Sequence, residues 1–570
     1  MRSHLRELLT QAIEKTAKGG ELNSTDLPPL LLEPPKQREF GDFATNVAML
    51  WAQKAKKPPR MIAEMILKNL DDPNGILARK EIAGPGFLNF AFAPQFYYQR
   101  LKELAADKEV RLDVGRGRRV QVEIASVNPT GPLHVGHGRV AVIGDALARL
   151  HEAVGFNVER EYYVNDAGRQ MENLGLSINA RYRELFGEPV DFPADGYPGD
   201  YVREIAAQIK EKDGDRFLTE PETAVDYFRR YGSHELLETI RRQLDSFGIE
   251  LDRFFYEKDL TRALDGSRSA VALTLDRLRA GDLLYIQDGA EWFRSTRFGD
   301  DKDRIVVKSD GELTYFATDI AYHRDKFERK FDKLINVWGA DHHGYVPRLK
   351  AAVQALGYDP SLLHVVLVQM VQLTRGGEPV RMGKRTGEFI SLEEVLQEVG
   401  RDAARFFFLM RKSDTHLEFD LDLAKRQSSD NPVFYVQYAH ARVASIFDQA
   451  RRNGLLDGGA PDVSSVALER LKLGEELELI RQMVQFDDVL GDSVRELEPH
   501  RLVFYLHELA GEFHRYYNRF RVISEDPQLS HARLLLVDNV QKTIRRGLEI
   551  LGVGAPMKMA SRAEEDPPDP

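Results

Sequence analysis

Between residues 120 and 154 the spacing of apolar positions changes its period. The run VQVEIASV is apolar nearly throughout, as a buried strand is, and a Gly/Pro loop follows it. Val140, Ile143, Leu147, Leu150 and Val154 then recur at helical spacing. A strand, a tight loop and an amphipathic helix open a doubly wound unit. Upstream, residues 1 to about 110 read as α+β: an amphipathic helix over MRSHLRELLTQAIEKTAKGG, a Pro-rich connection LPPLLLEPPKQ, a helix beginning near Asp42, and the strand-like FLNFAFA. The charged, Gly-containing DKEVRLDVGRGRR reads as a linker.

From about 172 to 245 the pattern is mostly charged helix, broken by the polar FGEPVDFPADGYPGD. It reads as an insertion, because strands resume after it in LLYIQDG, RIVVKSDG, LINVWGADHHGY and HVVLVQMVQL, with the helix VPRLKAAVQALG between the last two. This succession predicts a parallel sheet covered by helices. After NPVFYVQYAHARV, at 431, strand signals vanish and four helical stretches follow. The last of them carries Val537, Val540, Ile544, Leu548 and Leu551 on one face, as a bundle helix does. The predicted fold is therefore multidomain α/β. An α+β N-terminal domain covers 1–112, a doubly wound domain 113–380, a connecting region 381–430 and an all-α bundle 431–559. The acidic, Pro-rich tail 560–570 is expected to be disordered.

Composition narrows the chemistry. A chain of 570 residues, 42% hydrophobic and 30% charged, is an ordinary globular protein with room for three to five units. Its net charge of −11 argues against non-specific wrapping of nucleic acid, although an acidic body can carry a local cationic face. With no cysteine, disulfides, thiolate zinc sites and thiol redox chemistry are excluded. No run of about 18 apolar residues occurs, and the first twenty residues lack a signal peptide's apolar stretch, so no membrane contact and a cytoplasmic location are expected.

The stretch NPTGPLHVGHGR, residues 128 to 139, concentrates the candidate chemistry. His134 and His137 lie three apart, a spacing that chelates a metal on a helix. Gly131, Pro132 and Gly136 instead make the segment a loop entering a helix, and no obvious third ligand stands nearby, so no metal is expected. A second reading makes the histidines polar fillers of a tight turn. The third follows from position: a strand's carboxyl end feeding a helix N-terminus is where an open α/β sheet binds anions, through free N–H groups and the helix dipole. Imidazole N–H groups would donate to phosphate oxygens as charge develops, while Gly136 lets a flat base approach the backbone. The Walker pattern GxxxxGK[ST] is absent here.

At these residues the chain resembles a known family. HVGH is similar to the "HIGH" signature of class I aminoacyl-tRNA synthetases, and SVNPTGPLHVGHGR to the form it takes in arginyl-tRNA synthetases. Downstream, RMGKR at 381 to 385 stands where the family has KMSKS: Lys384 matches the second lysine, Arg381 replaces the first, and Gly383 and Arg385 replace the serines. The resemblance implies a class I Rossmann-like catalytic domain that uses ATP as substrate with Mg²⁺, without zinc or an organic cofactor. It implies ATP contacts at His134, Gly136, His137, Arg381, Met382 and Lys384, with His134, His137 and Lys384 catalytic.

A guanidinium asks for carboxylates with an aromatic neighbour. GELTYFATDIAYHRDKF supplies Tyr315 and Asp319, four apart and so on one face of a helix, and resembles the arginyl family's Tyr-x-x-x-Asp element. By the same resemblance Glu123, Ala125, Ser126 and Asn128 line the arginine pocket with His137, the Asn128 side holding the α-amino and carboxylate end. His342 in GADHHGY matches a residue at the α-carbon end. Glu257 in FFYEKDL matches a further pocket acid, although Tyr256 stands where many relatives have serine.

The resemblance extends from EFGDFATNVAMLWAQ to RRGLEILGVGAPMKM. FGDFATNVA, with Phe40 and Asn46 beside or within it, is similar to the family's N-terminal added domain and implies contact with the tRNA elbow. The C-terminal helices resemble its anticodon-binding domain, where Tyr435, Tyr438, His440 and Arg442 offer stacking surfaces and cations for splayed bases. Aromatic residues at helical spacing also build helical cores. The implied activity is two-step: ATP activates L-arginine as the adenylate, and tRNA(Arg) then accepts the arginyl group, with tRNA needed even for the first step. No DNA partner is implied, and a monomer is expected. A small-molecule nucleotidyl transferase would share HVGH but not need the helical C-terminus. A non-catalytic tRNA-binding protein would have lost the phosphate or amino-acid residues. Among other synthetases, the cysteinyl type is disfavoured by the missing cysteines and the editing types by the lack of room for a large hydrolytic insertion.

Overall fold

A computed structural model describes residues 1–19, 27–35, 37–106, 112–166, 168–263, 268–380 and 390–559. The segment RMGKR, with Arg381, Met382 and Lys384, and the tail 560–570 lie outside the described residues. Helix α1 (Arg2–Lys18) buries Leu5, Leu9, Ala12 and Ile13. The helix expected from Asp42 starts later. Phe43 and Thr45 alternate inward as strand β1 (Phe43–Thr45), and α2 (Val47–Ala55) begins after it. Asp42 is itself buried, accepting the Phe92 N–H at 2.8 Å. After α3 (Pro59–Lys68) come β2 (Leu77–Ala83), β3 (Phe87–Phe92) and α4 (Pro94–Ala105), and the three strands pair antiparallel in the order β1-β3-β2.

The VQVEIASV strand is shorter than its apolar run. β4 (Arg119–Glu123) stops because Ala125 and Ser126 adopt φ of +63° and +49°, which no strand accommodates. Helix α5 (Val135–Ala153) buries Val140, Ile143, Leu147 and Leu150, with Val154 buried at its C-cap. β5 (Asn157–Val164) follows. Helices α6 (Arg169–Glu184), α7 (Asp200–Asp213), α8 (Arg216–Thr219) and α9 (Pro221–Ser246) then intervene before β6 (Arg253–Tyr256). These four helices pack around a satellite core that includes Tyr182, Phe217 and Phe228.

Two expected strands join a different sheet. After α10 (Glu257–Thr261) and α11 (Ala270–Ala280), β7 (Leu284–Gln287), β8 (Ala290–Phe293) and β9 (Arg304–Val307) pair antiparallel with one another. The reason is the turn: Asp288 and Gly289 both have positive φ, the two-residue hairpin geometry that folds a strand straight back and leaves no chain for a parallel crossover. Next come α12 (Tyr315–Glu328), β10 (Lys333–Gly339), α13 (Val346–Ala355) and β11 (Leu363–Val368). The run HVVLVQMVQL is also two strands. It breaks at Gln369 and Met370, and β12 (Val371–Arg375) leaves for a separate sheet with β13 (Glu378–Pro379). Past α14 (Leu392–Val399) and α15 (Arg401–Leu409), β14 (Leu417–Asp420) completes that sheet beside β12, and α16 (Leu421–Lys425) follows.

The central sheet is parallel in the order β11-β10-β4-β5-β6. From β4 the chain moves to β5 and β6 on one side and later returns to β10 on the other. The switch point therefore lies between the carboxyl ends of β4 and β10, where such sheets bind ligands. Helix α17 (Pro432–Arg452) opens the helical region and is followed by the four expected helices, α18 (Gly474–Val484), α19 (Phe486–Glu496), α20 (His500–Arg519) and α21 (Pro527–Ile550), the last burying Val537, Val540, Ile544 and Leu548. One apolar core continues from Met1 through the central sheet to Val553, so these regions are fused by packing. Polar ties reinforce it: Arg2 meets Asp492 at 2.7 Å, and the fully buried Arg405 bonds Asp145 of α5 at 2.5 Å, Phe247 O at 2.9 Å and Leu551 O at 3.0 Å. Among the described residues no helix is long and apolar enough to cross a membrane.

Candidate active site

At the switch point the helix α5 is capped by its own histidines. His134 is the N-cap, and its Nδ1 accepts the N–H of Gly136 at 3.1 Å and of His137 at 3.4 Å. The Nδ1 of His137 reaches back to the N–H of His134 at 3.4 Å. The reciprocal arrangement matches a capping box, with two imidazoles in place of Ser and Glu. The rings stack, centroids 3.4 Å apart and 23° from parallel. Gly136 permits this, since a Cβ there would stand 3.0 Å from Cε1 of His134.

This corrects one expectation: the N–H groups of Gly136 and His137 are occupied by the His134 ring rather than open to an anion. Donation passes to the imidazoles. Burial pushes both rings down in pKa, His137 to about 3 with the neighbouring His134 adding to the fall, so both are neutral. A neutral ring that accepts at Nδ1 carries its proton on Nε2. Both rings thus carry their proton on Nε2 beside the helix N-terminus, without the desolvation cost of two buried charges.

Two anchors hold this helix start. Arg139, fully buried, donates to the carbonyls of Gln369 at 2.8 Å, Thr415 at 2.9 Å and Lys412 at 3.0 Å, fastening α5 to the β11–β12 junction and to the loop between α15 and β14. On the other side Leu392 donates to Leu133 O at 2.9 Å and Ser391 forms a β-bridge with His134. A Cβ on Gly138 would come within 2.4 Å of Leu392 Cδ1, so any larger residue there would have to displace the Leu392 side chain.

The β4 end supplies the opposite wall. The left-handed Ala125 and Ser126 turn the chain so that Glu123, Ala125, Ser126 and Asn128 all line one cavity with the two histidines, of about 1310 Å³. That volume exceeds a single drug-sized ligand's needs. The turn is held by Tyr163 N–H to Ser126 Oγ at 3.0 Å and Tyr162 OH to Val127 O at 2.6 Å. Asn128 donates to Gln170 Oε1 at 2.5 Å.

Asp319 and Glu257 stand in the same cavity. Burial, with the nearby Glu257 and Glu123 adding, pushes the Asp319 carboxyl up to about 7 against a hydrogen bond from the Tyr345 hydroxyl. Burial also raises Glu257, offset by Tyr163 and Thr318. Glu123 behaves differently. It lies below the usual carboxylate range because Lys326 bonds it at 2.5 Å, so it is a paired acid. Tyr315 begins α12 with its side chain exposed at the cavity mouth, four residues from Asp319 on the same helix. His342 lines the mouth too, 3.6 Å from Asp341 and with its ring 6.0 Å from Trp338.

Sequence reasoning missed Tyr163, Tyr345, Trp338 and Tyr197, all cavity residues. Tyr197 comes from the loop between α6 and α7, and Tyr201 of α7 bonds Thr130 O at 2.7 Å and so braces the NPTGP loop. No local pattern marks these residues; they are drawn in from separate elements.

The nucleic-acid candidates are spread over two regions. Phe40 is exposed in a short 3₁₀ turn, and Asn46 precedes α2 half-buried. On α17 Tyr435 packs against His507 and His514, while Tyr438 stacks on Phe434 and His514. The Arg442 guanidinium lies 4.7 Å from the Tyr438 ring centroid and 4.8 Å from that of Tyr517. His440 is a correction: it is fully buried and donates to Pro556 O at 2.9 Å, so it ties α17 to the chain beyond α21 and offers no stacking face.

With this geometry in hand, three family models match the chain. The "Arginyl tRNA synthetase N terminal domain" matches residues 3–92, "tRNA synthetases class I (R), catalytic domain" residues 101–420, and "DALR anticodon binding domain" residues 436–559. Two relatives named arginine--tRNA ligase, from Citrifermentans bemidjiense and Geobacter sp. strain M21, are each 50% identical over 563 residues, covering 98% of this chain and 100% of the relative. The solved Thermus thermophilus arginyl-tRNA synthetase shares the fold at a TM-score of 0.77 and 23% identity, over 98% of this chain and 100% of that one.

Proposed function

The chain belongs to the arginyl-tRNA synthetases, class I ligases that use ATP to charge tRNA(Arg) with arginine, and from that premise we propose how its own residues divide the work. In the first step a carboxylate oxygen of arginine attacks the α-phosphorus of ATP and pyrophosphate departs. In the second, a ribose hydroxyl of the tRNA end attacks the acyl carbon and AMP departs. The Nε2–H groups of His134 and His137 donate to phosphate oxygens as charge moves toward the leaving group. Mg²⁺ accompanies ATP as part of the substrate.

Asp319 and Glu257 receive the guanidinium, with Tyr315 over its face, while Glu123, Ser126, Asn128 and His342 hold the α-carbon end. Lys384 and Arg381 serve the departing pyrophosphate. The flanks of their segment support this: the chain leaves it at Ile390, which lines the cavity, and pairs at once with His134 through Ser391. We assign tRNA elbow contact to residues 1–112, catalysis to 113–380 with the inserted helices at about 172–245, loop and connection to 381–430, and anticodon contact, through Tyr435, Tyr438 and Arg442, to 431–559. The reading includes a monomer in the cytoplasm, with no DNA partner.

The observation that carries the assignment is one cavity holding two neutral imidazole donors on one wall and the half-buried Asp319 and buried Glu257 on the other. Aminoacylation of total tRNA with each of twenty amino acids tests it. Arginine alone should be charged, and arginine-dependent pyrophosphate exchange should be silent until tRNA is added. Charging of another amino acid, or full exchange without tRNA, would count against it.

A further inference from the structure

Glu123, Glu257 and Asp319 set three carboxyl groups on the wall of one cavity, and so close together they do not all ionise unless a cation stands among them. The cation bonded there is Lys326, fully buried and behind the cavity lining rather than in it. Its Nζ donates to Glu123 Oε2 at 2.5 Å and to Asn336 Oδ1 at 2.9 Å, and lies 4.4 Å from the Tyr322 ring centroid. Asn336 is the register partner of Glu123 across β10 and β4, at the switch point itself. Its Nδ2 donates to His323 Nε2 at 2.8 Å, and His323 Nδ1–H donates to the Asp319 carbonyl at 2.8 Å. The hydrogen bonds from Lys326 through Asn336 to His323 thus hold Glu123 and the Asp319 backbone in one connected network. Glu123 Oε1 accepts from Trp338 Nε1 at 3.4 Å and the Ser126 side chain also bonds this carboxylate, which lines the cavity.

We propose that Lys326 is the positioning residue of the arginine pocket: it keeps Glu123 ionised and locked in one orientation, so that this carboxylate receives the substrate's ammonium group while Asp319 and Glu257 remain for the guanidinium. The proposal rests on reading the cavity as the arginine pocket. Lys326 acts through Glu123 and does not touch the substrate. A buried lysine that only stabilised the fold would not be confined to one substrate's KM.

The test is tRNA-supported pyrophosphate exchange by the full chain, with kcat and the KM of arginine and of ATP measured for wild type, Glu123→Gln, Lys326→Met and the double variant. Removing a charge-assisted contact should raise the arginine KM on the order of tenfold or more in each single variant, with the ATP KM nearly unchanged. The double variant should be no worse than Glu123→Gln. Losses that multiply in the double variant, or an unchanged arginine KM in Lys326→Met, would overturn the proposal. Where Lys326→Met does not fold, the double variant, which leaves neither charge buried alone, is compared with Glu123→Gln directly. Equal arginine KM values support the proposal and a further tenfold rise overturns it. Wild-type enzyme that charges no arginine removes the pocket reading itself, an outcome separate from any ratio among variants.

Discussion

The imidazoles of His134 and His137 each use Nδ1 to accept the backbone N–H of the other residue, over rings stacked 3.4 Å apart. One bond pattern therefore does two jobs. It satisfies donors that a helix start leaves open, and it places the proton of both neutral rings on Nε2.

The two jobs separate by substitution. In His134→Asn the short amide oxygen keeps the cap, since Asn is a strong N-cap residue, but the far Nε2–H is gone. The expected result is a melting temperature near wild type with adenylation slower by roughly 10²- to 10³-fold, the usual cost of one preorganised donor. His134→Ala should lose the same rate and about 1 kcal/mol of stability besides. Thermal melts beside exchange kinetics read both, and an Asn variant with wild-type rate would mean that the ring is only a cap.

With Asp319 in the proposed guanidinium pocket, arginine binding should depend on pH. Its folded-state pKa is raised to about 7, mainly by burial, so below that pH the empty pocket holds a proton that the guanidinium must expel. The arginine KM should therefore fall about tenfold per pH unit as pH rises toward 7 and level off above it. The same elevation makes the ligand-free protein lose stability between the ordinary carboxylate range and about pH 7, because the unfolded chain binds fewer protons there. Asp319→Asn should flatten both trends at a much higher KM. A KM profile unchanged by that substitution would assign the titration elsewhere.

Arg405 joins α5, the end of α9 and the chain after α21 through Asp145, Phe247 O and Leu551 O, with no exposure of either charged side chain. Arg149 at 2.8 Å and Arg160 at 3.6 Å also meet Asp145, so Arg405→Met leaves the buried carboxylate partly compensated and should cost less than the about 3–5 kcal/mol of a stranded charge in urea unfolding. A variant as stable as wild type would show that the pair is dispensable to the fold.

The sequence made legible what is local. The period change around residue 124 locates β4 and α5, and HVGH sits at their junction. Strand membership was not legible, because apolar alternation in LLYIQDG is the same in a parallel or an antiparallel sheet; only the Asp288–Gly289 turn decides. Tyr315 and Asp319 were visible as a helical pair. Tyr345 and Lys326 were not, since their partners Asp319 and Glu123 lie 26 and 203 residues away in the chain. His440 shows the reverse error, a polar residue at an exposed-looking helical position that packing against Pro556 buries.

Lys384 carries the remaining prediction. It lies in the segment 381–389, which connects β13, ending at Pro379, to Ile390 at the cavity wall and Ser391 beside His134. The segment rejoins the described chain beside His134, and the two neutral rings proposed to meet phosphate supply donors but no charge. On the proposed reading the triphosphate's charge is met in part by this segment. Lys384→Ala should slow exchange by roughly 10²- to 10³-fold, since a preorganised group at the leaving phosphate is worth that much in the transition state. The arginine KM should move little, because the pocket acids are untouched. Arg381→Ala should show a smaller loss of the same kind, and Lys384→Arg should recover part of the rate. Single-turnover adenylate formation with saturating tRNA measures this directly. A Lys384→Ala enzyme with wild-type adenylation would leave the phosphate charge to Arg381 and Arg385.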